Sequence, residues 1–298
     1  MKLPPKIFRY AFISLFVISA GLAIWAFVIE PSRLVVNNYQ LKLKNWSPRH
    51  NGFKIVAIAD LHGGSNFVTE ARIREVVSLA NQQEPDVIVL LGDYVAHQSF
   101  DRSQIKMPLA TVMDNLRGLK AKHGVFAVIG NHDNEVGNEI VRAELEQIGY
   151  RVLENEAVSV EKNGEKIRIL GVPDALRQND FVACYENAKK AVAQPDTNDG
   201  KIIVLSHNPD VLACLTKELH FSPDFSLFIG GHTHGGQVRF PIIGAPIVPT
   251  EYGQKLAAGH IRDLEIDIFI SSGIGMSYLP ARFGVPPEIS VLELYSEN

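Results

Sequence analysis

Five short apolar segments of this 298-residue chain each end in side chains suited to holding metal ions. Lys54–Ala59 runs into Asp60-Leu61-His62, Val87–Leu91 into Gly92-Asp93, and Val125–Ile129 into Gly130-Asn131-His132-Asp133. Ile202–Leu205 runs into Ser206-His207, and Leu227–Ile229 into Gly231-His232-Thr233-His234. Taken singly, Asp60 or Asp93 would cap a helix and Asn131 would hold a turn. Five of the ten histidines at five segment ends make a different case. Carboxylates, imidazoles and one amide oxygen together suit borderline divalent cations such as Mn, Fe, Zn or Co better than Ca or Cu(I). If the backbone is extended there, Asp60 and His62 point the same way, as do His232 and His234, so each pair faces one ion or straddles two. The candidates outnumber what one tetrahedral site needs, which argues for two ions.

The elements that must position these residues are strand–helix units, in which ligands bind outside the carboxyl ends of the strands. Between the first two segments, Ile73, Val76, Val77 and Ala80 repeat at helical spacing over Thr69–Gln82, and Glu84-Pro85 stops that helix. Asn138–Ile148 reads as a second helix ending at Gly149. Val158–Val160 and Lys166–Leu170 flank Asn163-Gly164, a two-residue hairpin loop. Phe181–Val192 looks helical, 193–200 reads as a surface loop, and the chain after Gly236 is rich in strands and turns. Arg33–Lys44 reads as one or two strands turning at Asn37-Asn38.

The ordered set D-x-H, G-D, G-N-H-D, H and G-H-x-H resembles the calcineurin-like metallophosphoesterases. The later Gly235-Gly236-Gln237-Val238-Arg239 and Pro280–Ile289 are similar to a small bacterial, membrane-associated phosphodiesterase branch of that family. The resemblance implies an α/β fold, a four-layer αββα sandwich, preceded here by one transmembrane helix. It implies one ion held by Asp60, His62 and His234, a second by Asn131, His207 and His232, and Asp93 bridging both. His132 matches a histidine that is not a ligand. The implied activity is hydrolysis of phosphodiester, phosphomonoester or pyrophosphate bonds by metal-activated hydroxide. Two cations about 3.5–4 Å apart lower the pKa of a bridging water and clamp the oxygens of an in-line displacement. His132 is then expected to stabilise developing charge or protonate the leaving oxygen, and Asp133 to orient that imidazole. Arg239 and Arg282, among late prolines and glycines, are candidates to grip a substrate phosphate. His97 and His123 are read as surface or structural. A non-catalytic metal-binding scaffold of the same fold, acting as a protein-interaction module, is the competing reading; its mark, a missing ligand or a replaced His132, does not occur. A serine hydrolase would want a G-x-S-x-G elbow, which the sequence lacks.

A net charge of −4 and a pI near 6.2 give no support for nucleic-acid binding. Cys184 and Cys214 form no CxxC pair, so neither a zinc knuckle nor a disulfide framework is written here. Tyr10 to Ile29 is twenty residues without a charge, enough at about 1.5 Å per residue to cross roughly 30 Å of hydrocarbon. It is longer than the apolar region of a cleaved signal peptide, and Trp25, Phe27 and Val28 crowd the place of a cleavage site. The expected organisation is a short tail (1–9), a transmembrane helix (10–29), a linker with the first strands (30–50) and a phosphoesterase domain (51–298). Lys2, Lys6 and Arg9 precede the helix, predicting a single-pass protein of the inner (cytoplasmic) membrane with its catalytic domain on the non-cytoplasmic side, although Arg33, Lys42, Lys44 and Arg49 follow it. The expected partners are the bilayer and a phosphorylated small molecule or lipid-linked phosphate.

Overall fold

The computed structural model describes residues 5–98, 101, 103–174, 186, 200–217, 225–263 and 266–297. The N-terminal helix α1 (Pro5–Ile24) continues through one π-helical stretch, Trp25–Ile29, into the short α2 (Glu30–Ser32). Together they outrun the charge-free stretch at both ends and form one helix long and apolar enough to span a membrane. Large apolar side chains from Phe8 to Ile29 face outward.

Two six-stranded sheets follow. The first has the order β1 (Val35–Leu43), β12 (Glu288–Ser296), β2 (Phe53–Ile58), β3 (Val87–Leu90), β4 (Val125–Ala127) and β5 (Arg151–Val152). The second has the order β10 (Gly259–Asp263), β11 (Ile266–Ile270), β9 (Phe225–Gly230), β8 (Lys201–Leu205), β7 (Glu165–Gly171) and β6 (Glu156–Lys162). Strands β2, β3 and β4 are parallel neighbours, as are β8 and β9. All five segments singled out in the sequence are therefore strands whose carboxyl ends gather at one rim.

Three apolar clusters separate four layers. Ile73, Val76 and Ala80 of α3 (Glu70–Asn81), Val112 and Leu116 of α4 (Leu109–Leu116) and Val141 and Leu145 of α5 (Asn138–Gln147) pack on one face of the first sheet. Ile55, Val89, Ile169 and Leu227 belong to the core between the sheets. Leu212, Leu215 and Leu256 cover the outer face of the second sheet. Buried strands of this kind read as continuous apolar runs because both faces are covered, which is why they stood out by composition. The fold is the αββα sandwich that the resemblance implied.

Two details differ from expectation. Asn37-Asn38 makes no turn: β1 runs unbroken beside β12, and the Asn37 amide and Tyr39 hydroxyl both donate to Glu288 of that neighbour, at 2.6 and 3.0 Å. Because β1 is an edge strand of the first sheet, the folded unit includes residues 35–43 and does not begin at 51. Asn163 and Gly164 do form the hairpin loop, at φ of 53° and 80°. Except for Glu186 and Gly200, the proposed helix and loop over 181–200 lie outside the described residues.

Candidate metal centre

Asp60, Asp93 and Asn131 follow β2, β3 and β4, while His207 and His232 follow β8 and β9. The donor atoms of Asp60, His62 and His234 lie within 4.8 Å of one another, and so do those of Asp93, His207 and His232. Asp93 Oδ2 sits between the two groups, 3.6 Å from His62 Nε2 and 3.3 Å from His207 Nε2. Asn131 Oδ1 and His232 Nδ1 each lie 3.0 Å from His207 Nε2. The structure thus brings together all seven predicted ligands.

They do not converge for the expected reason. Asp60, His62, Asp93, His232 and His234 all take positive φ, between 45° and 70°, so neither D-x-H nor H-x-H is extended. Left-handed backbone at a non-glycine residue costs on the order of 1 kcal/mol or more apiece and survives only where the surroundings over-determine it. Here the surroundings are tight. A Cβ on Gly130 would fall onto Asp93 Oδ1 and within 2.5 Å of the Asp93 amide, and one on Gly273, itself at φ 68°, would come within 2.7 Å of Asp60 Cβ.

The electrostatics favour a cation. The Val95 and Leu91 carbonyls lie 3.2 and 2.8 Å from Nδ1 of His62 and His207. A carbonyl only accepts, so each Nδ1 carries the proton and each Nε2 turns a lone pair inward. Around His207 Nε2 the Asn131 oxygen and the Asp93 carboxylate are also acceptors, and only positive charge can reconcile them. Burial lowers the pKa of His62 and of His232 to about 3, keeping them neutral as metal ligands require. His234 is lowered well below the usual histidine range by burial and by His62. Burial alone would raise the Asp93 carboxyl, but His207 beside it holds it well below the usual range. Burial likewise disfavours charge on His207, yet Asp93 wins and raises it. A divalent cation would take over the role of that proton.

His132 faces the same cluster. Its ring centroid is 4.9 Å from that of His62, and its amide donates to Asp93 Oδ1 at 2.8 Å. Asp133 does not orient its imidazole as expected. Both Asp133 oxygens accept backbone N–H groups instead, from Asp93 and Tyr94 at 2.7 Å and Gly130 at 3.0 Å, so the carboxylate latches the loop after β3 to the loop after β4. Arg282 is also corrected. It is fully buried, and its guanidinium donates to the carbonyls of Ser272, Gly273, Gly275 and Val285 at 2.6–3.1 Å, out of reach of any substrate. Arg239 is exposed, one residue beyond the cavity-lining Val238, with its amide on the Phe283 carbonyl.

Two cavities flank His132, of about 590 and 380 Å³. The larger is walled by Pro246, Ile247, Pro249, Tyr278 and Leu279 beside His232 and His234. The smaller adds His97 and Lys106. His97, read from sequence as surface or structural, is buried with its ring 5.3 Å from that of His132 and Nε2 2.9 Å from the His132 carbonyl. Its four-residue offset from Asp93 carried no signal, since the turn that brings it back is irregular. Lys106 was missed for the same reason.

The family model described as calcineurin-like phosphoesterase matches residues 53–236. Phosphodiesterase YaeI of Escherichia coli (strain K12) is 33% identical over 245 residues, 81% of this chain and 82% of that protein. The metallophosphoesterase YkuE of Bacillus subtilis (strain 168) is 30% identical over 278 residues, 92% of this chain and 90% of its own length. A Danio rerio transmembrane protein with a metallophosphoesterase domain is 27% identical and is covered over 63% of its length. With a family match spanning every strand end that carries the clustered donors, and relatives of the same kind matched over most of their length, the chain belongs to the calcineurin-like phosphoesterases.

Proposed function

We propose that the chain is a membrane-anchored, dinuclear-metal-dependent phosphoesterase acting on a phosphodiester or pyrophosphate bond, with a lipid-linked phosphate as its substrate class. The observation that carries the reading is Asp93, whose one carboxylate oxygen lies between two groups of imidazoles. Asp60, His62 and His234 would hold one ion and Asn131, His207 and His232 the other, with Asp93 shared. Bound there, two divalent cations would lower the pKa of water and neutralise charge on phosphoryl oxygens.

The chain's own residues do the rest. The strained, crowded backbone fixes the donors in advance, so they need no reorganisation when substrate arrives. His132, which lines both cavities, would donate a proton to a leaving oxygen. Lys106, which lines the smaller cavity, would take the place of the buried Arg282 as a phosphate contact, and the exposed Arg239 stays a candidate beside it. The apolar wall of Pro246, Ile247, Pro249 and Leu279 supports an acyl or isoprenoid substituent beside the phosphate. The N-terminal helix would cross the inner membrane with the domain of residues 35–297 on the non-cytoplasmic side, as the basic residues before it favour.

The test uses the full chain in detergent, stripped by chelator and reloaded with Mn, Fe, Zn or Mg. Hydrolysis of a model diester, a monoester and a pyrophosphate-linked lipid is then compared. Metal-restored hydrolysis that disappears in Asp93→Asn and falls in His132→Ala is expected; activity indifferent to the chelator would sink the reading. The chain should not be cut at Arg33, because Ala26 and Glu30 hold Arg282 and Gly284 of the loop behind the site.

A further inference from the structure

Beyond residue 29, seven large apolar side chains are exposed among the described residues, and six fall in two loops: Phe240, Ile242, Ile243, Ile247, Tyr278 and Leu279. Ile242 is entirely exposed, Tyr278 is 89% exposed and Ile247 79%. No charged residue occurs in 240–250 or 276–281. Ile242 also sits at φ 71°, the conformation least suited to a β-branched side chain. In water this tip is unfavourable in both packing and backbone, and contiguous exposed apolar surface of this kind marks an interaction site.

The two loops are one surface. Gln237 joins them: its side-chain amide donates to the Leu279 carbonyl at 2.8 Å and its oxygen accepts the Ser277 amide at 2.7 Å. That surface is continuous with the foot of the N-terminal helix. The Arg282 amide donates to the Ala26 carbonyl at 2.9 Å, and Glu30 accepts from Trp25 Nε1 and the Gly284 amide at 2.6 and 2.9 Å. The intervening Phe283 packs on Phe240, ring centroids 5.6 Å apart, and its carbonyl accepts the Arg239 amide. From the helix foot to the Phe240–Gly244 hairpin is thus one short, bonded path. Trp25 and Tyr278 are of the aromatic types that favour the headgroup level of a bilayer, and Phe240 is of the apolar type that interfacial elements bury just beneath it.

We infer that the loop tips at Phe240–Ile243 and Tyr278–Leu279 dock into the headgroup–acyl boundary of the bilayer that the N-terminal helix crosses. The inference rests on the anchoring part of the proposed function and adds an orientation to it. Tyr278, Leu279 and Ile247 line the larger cavity as well as the exposed patch. Its mouth therefore opens onto the membrane surface, and a lipid phosphate enters without its chains leaving the bilayer. The tips sit shallowly in the interface, as amphipathic surface elements do.

Single-tryptophan additions to the full chain test this in vesicles of phosphatidylethanolamine and phosphatidylglycerol, with or without brominated acyl chains. Emission is read as the difference from the parent, which carries Trp25 and Trp46. Phe16→Trp reports the helix, Ile242→Trp and Ile243→Trp the hairpin tip, and Glu161→Trp, exposed on β6, a water-facing control. Expected are blue-shifted emission and bromolipid quenching at 16, 242 and 243, with chains brominated near the headgroup quenching 242 and 243 most, and no quenching at 161. Quenching at 16 but water-like emission at both tip positions overturns the docking while leaving the anchor intact. Loss of quenching at 16 overturns the anchor itself. A blue shift at 242 without bromolipid quenching means that another protein surface, such as a second copy, covers the patch, and this too overturns the inference.

Discussion

Arg282→Met should destabilise the domain without touching any of the clustered donor residues. The guanidinium donates to Ser272, Gly275 and Val285 carbonyls that have no other backbone donor among the described residues, and to the Gly273 carbonyl, which also accepts the Glu288 amide. Methionine keeps the apolar stem and removes every donor. Three stranded buried carbonyls at about 1–3 kcal/mol each give a loss of about 6 kcal/mol at mid-range. Against this stands the cost of keeping the charge dry, since burial pushes the Arg282 pKa down to about 10. That shift corresponds to roughly 3 kcal/mol recovered by the substitution. The net loss is about 3 kcal/mol, equivalent to a fall in Tm of roughly 6–12 °C for a domain of this size. Thermal unfolding of parent and variant in the same detergent, with chelator present so that metal binding does not mask the difference, measures it. Arg282→Lys should recover part of the loss. A variant melting within the scatter of the parent would refute the idea that this guanidinium ties residues 272–285 together.

Gly130→Ala forces a methyl group onto the Asp93 carboxylate; metal affinity by calorimetry should fall at least tenfold while far-ultraviolet circular dichroism stays that of the parent. Glu30→Ala removes the acceptor for Trp25 Nε1 and the Gly284 amide, so hydrogen exchange at 282–285 should accelerate, with the central strands of both sheets unaffected. Asp267 is lowered in pKa: burial alone would raise it, but His260, Arg262 and the Lys44 amide donate to it and prevail. A depressed folded pKa means that its stabilisation is present above the unfolded carboxyl range and lost as pH falls through the folded value. Asp267→Asn should therefore cost about 1–2 kcal/mol at neutral pH, with the gap in urea midpoints closing as the solution is acidified.

The legible parts of this chain were those in which local pattern and global fold agree. The buried strands announce themselves because both faces are covered, and α3 because Ile73, Val76 and Ala80 alternate with charged residues at helical spacing. The donor residues stood out because each follows an apolar run. What stayed hidden depends on contacts distant in sequence. Asn37 and Asn38 look like a turn until β12, some 250 residues on, supplies Glu288 as a partner. Asp133 looks like an orienting group for its neighbour His132 until the Asp93 and Tyr94 amides turn toward it across the strand ends. Arg282 looks like a phosphate grip because charge among loops is usually solvated, and only the folded loop shows four carbonyls closing over it.

These hidden contacts share one physical task. Five donor residues stand in left-handed backbone, a conformation the isolated loops would leave readily. Asp133 fixes the amides of residues 93, 94 and 130. Arg282 fixes the turn whose Gly275 amide donates to the Asp60 carbonyl at 2.6 Å. Glu30 and Ala26 fix the far end of that turn to the N-terminal helix. Chain path and ligand geometry are thus linked from Ala26 through Arg282 to Asp60. The helix is consequently part of the scaffold that holds the clustered donor residues, and a phosphoesterase domain severed from it would lose organisation first at residues 272–285 and next at Asp60.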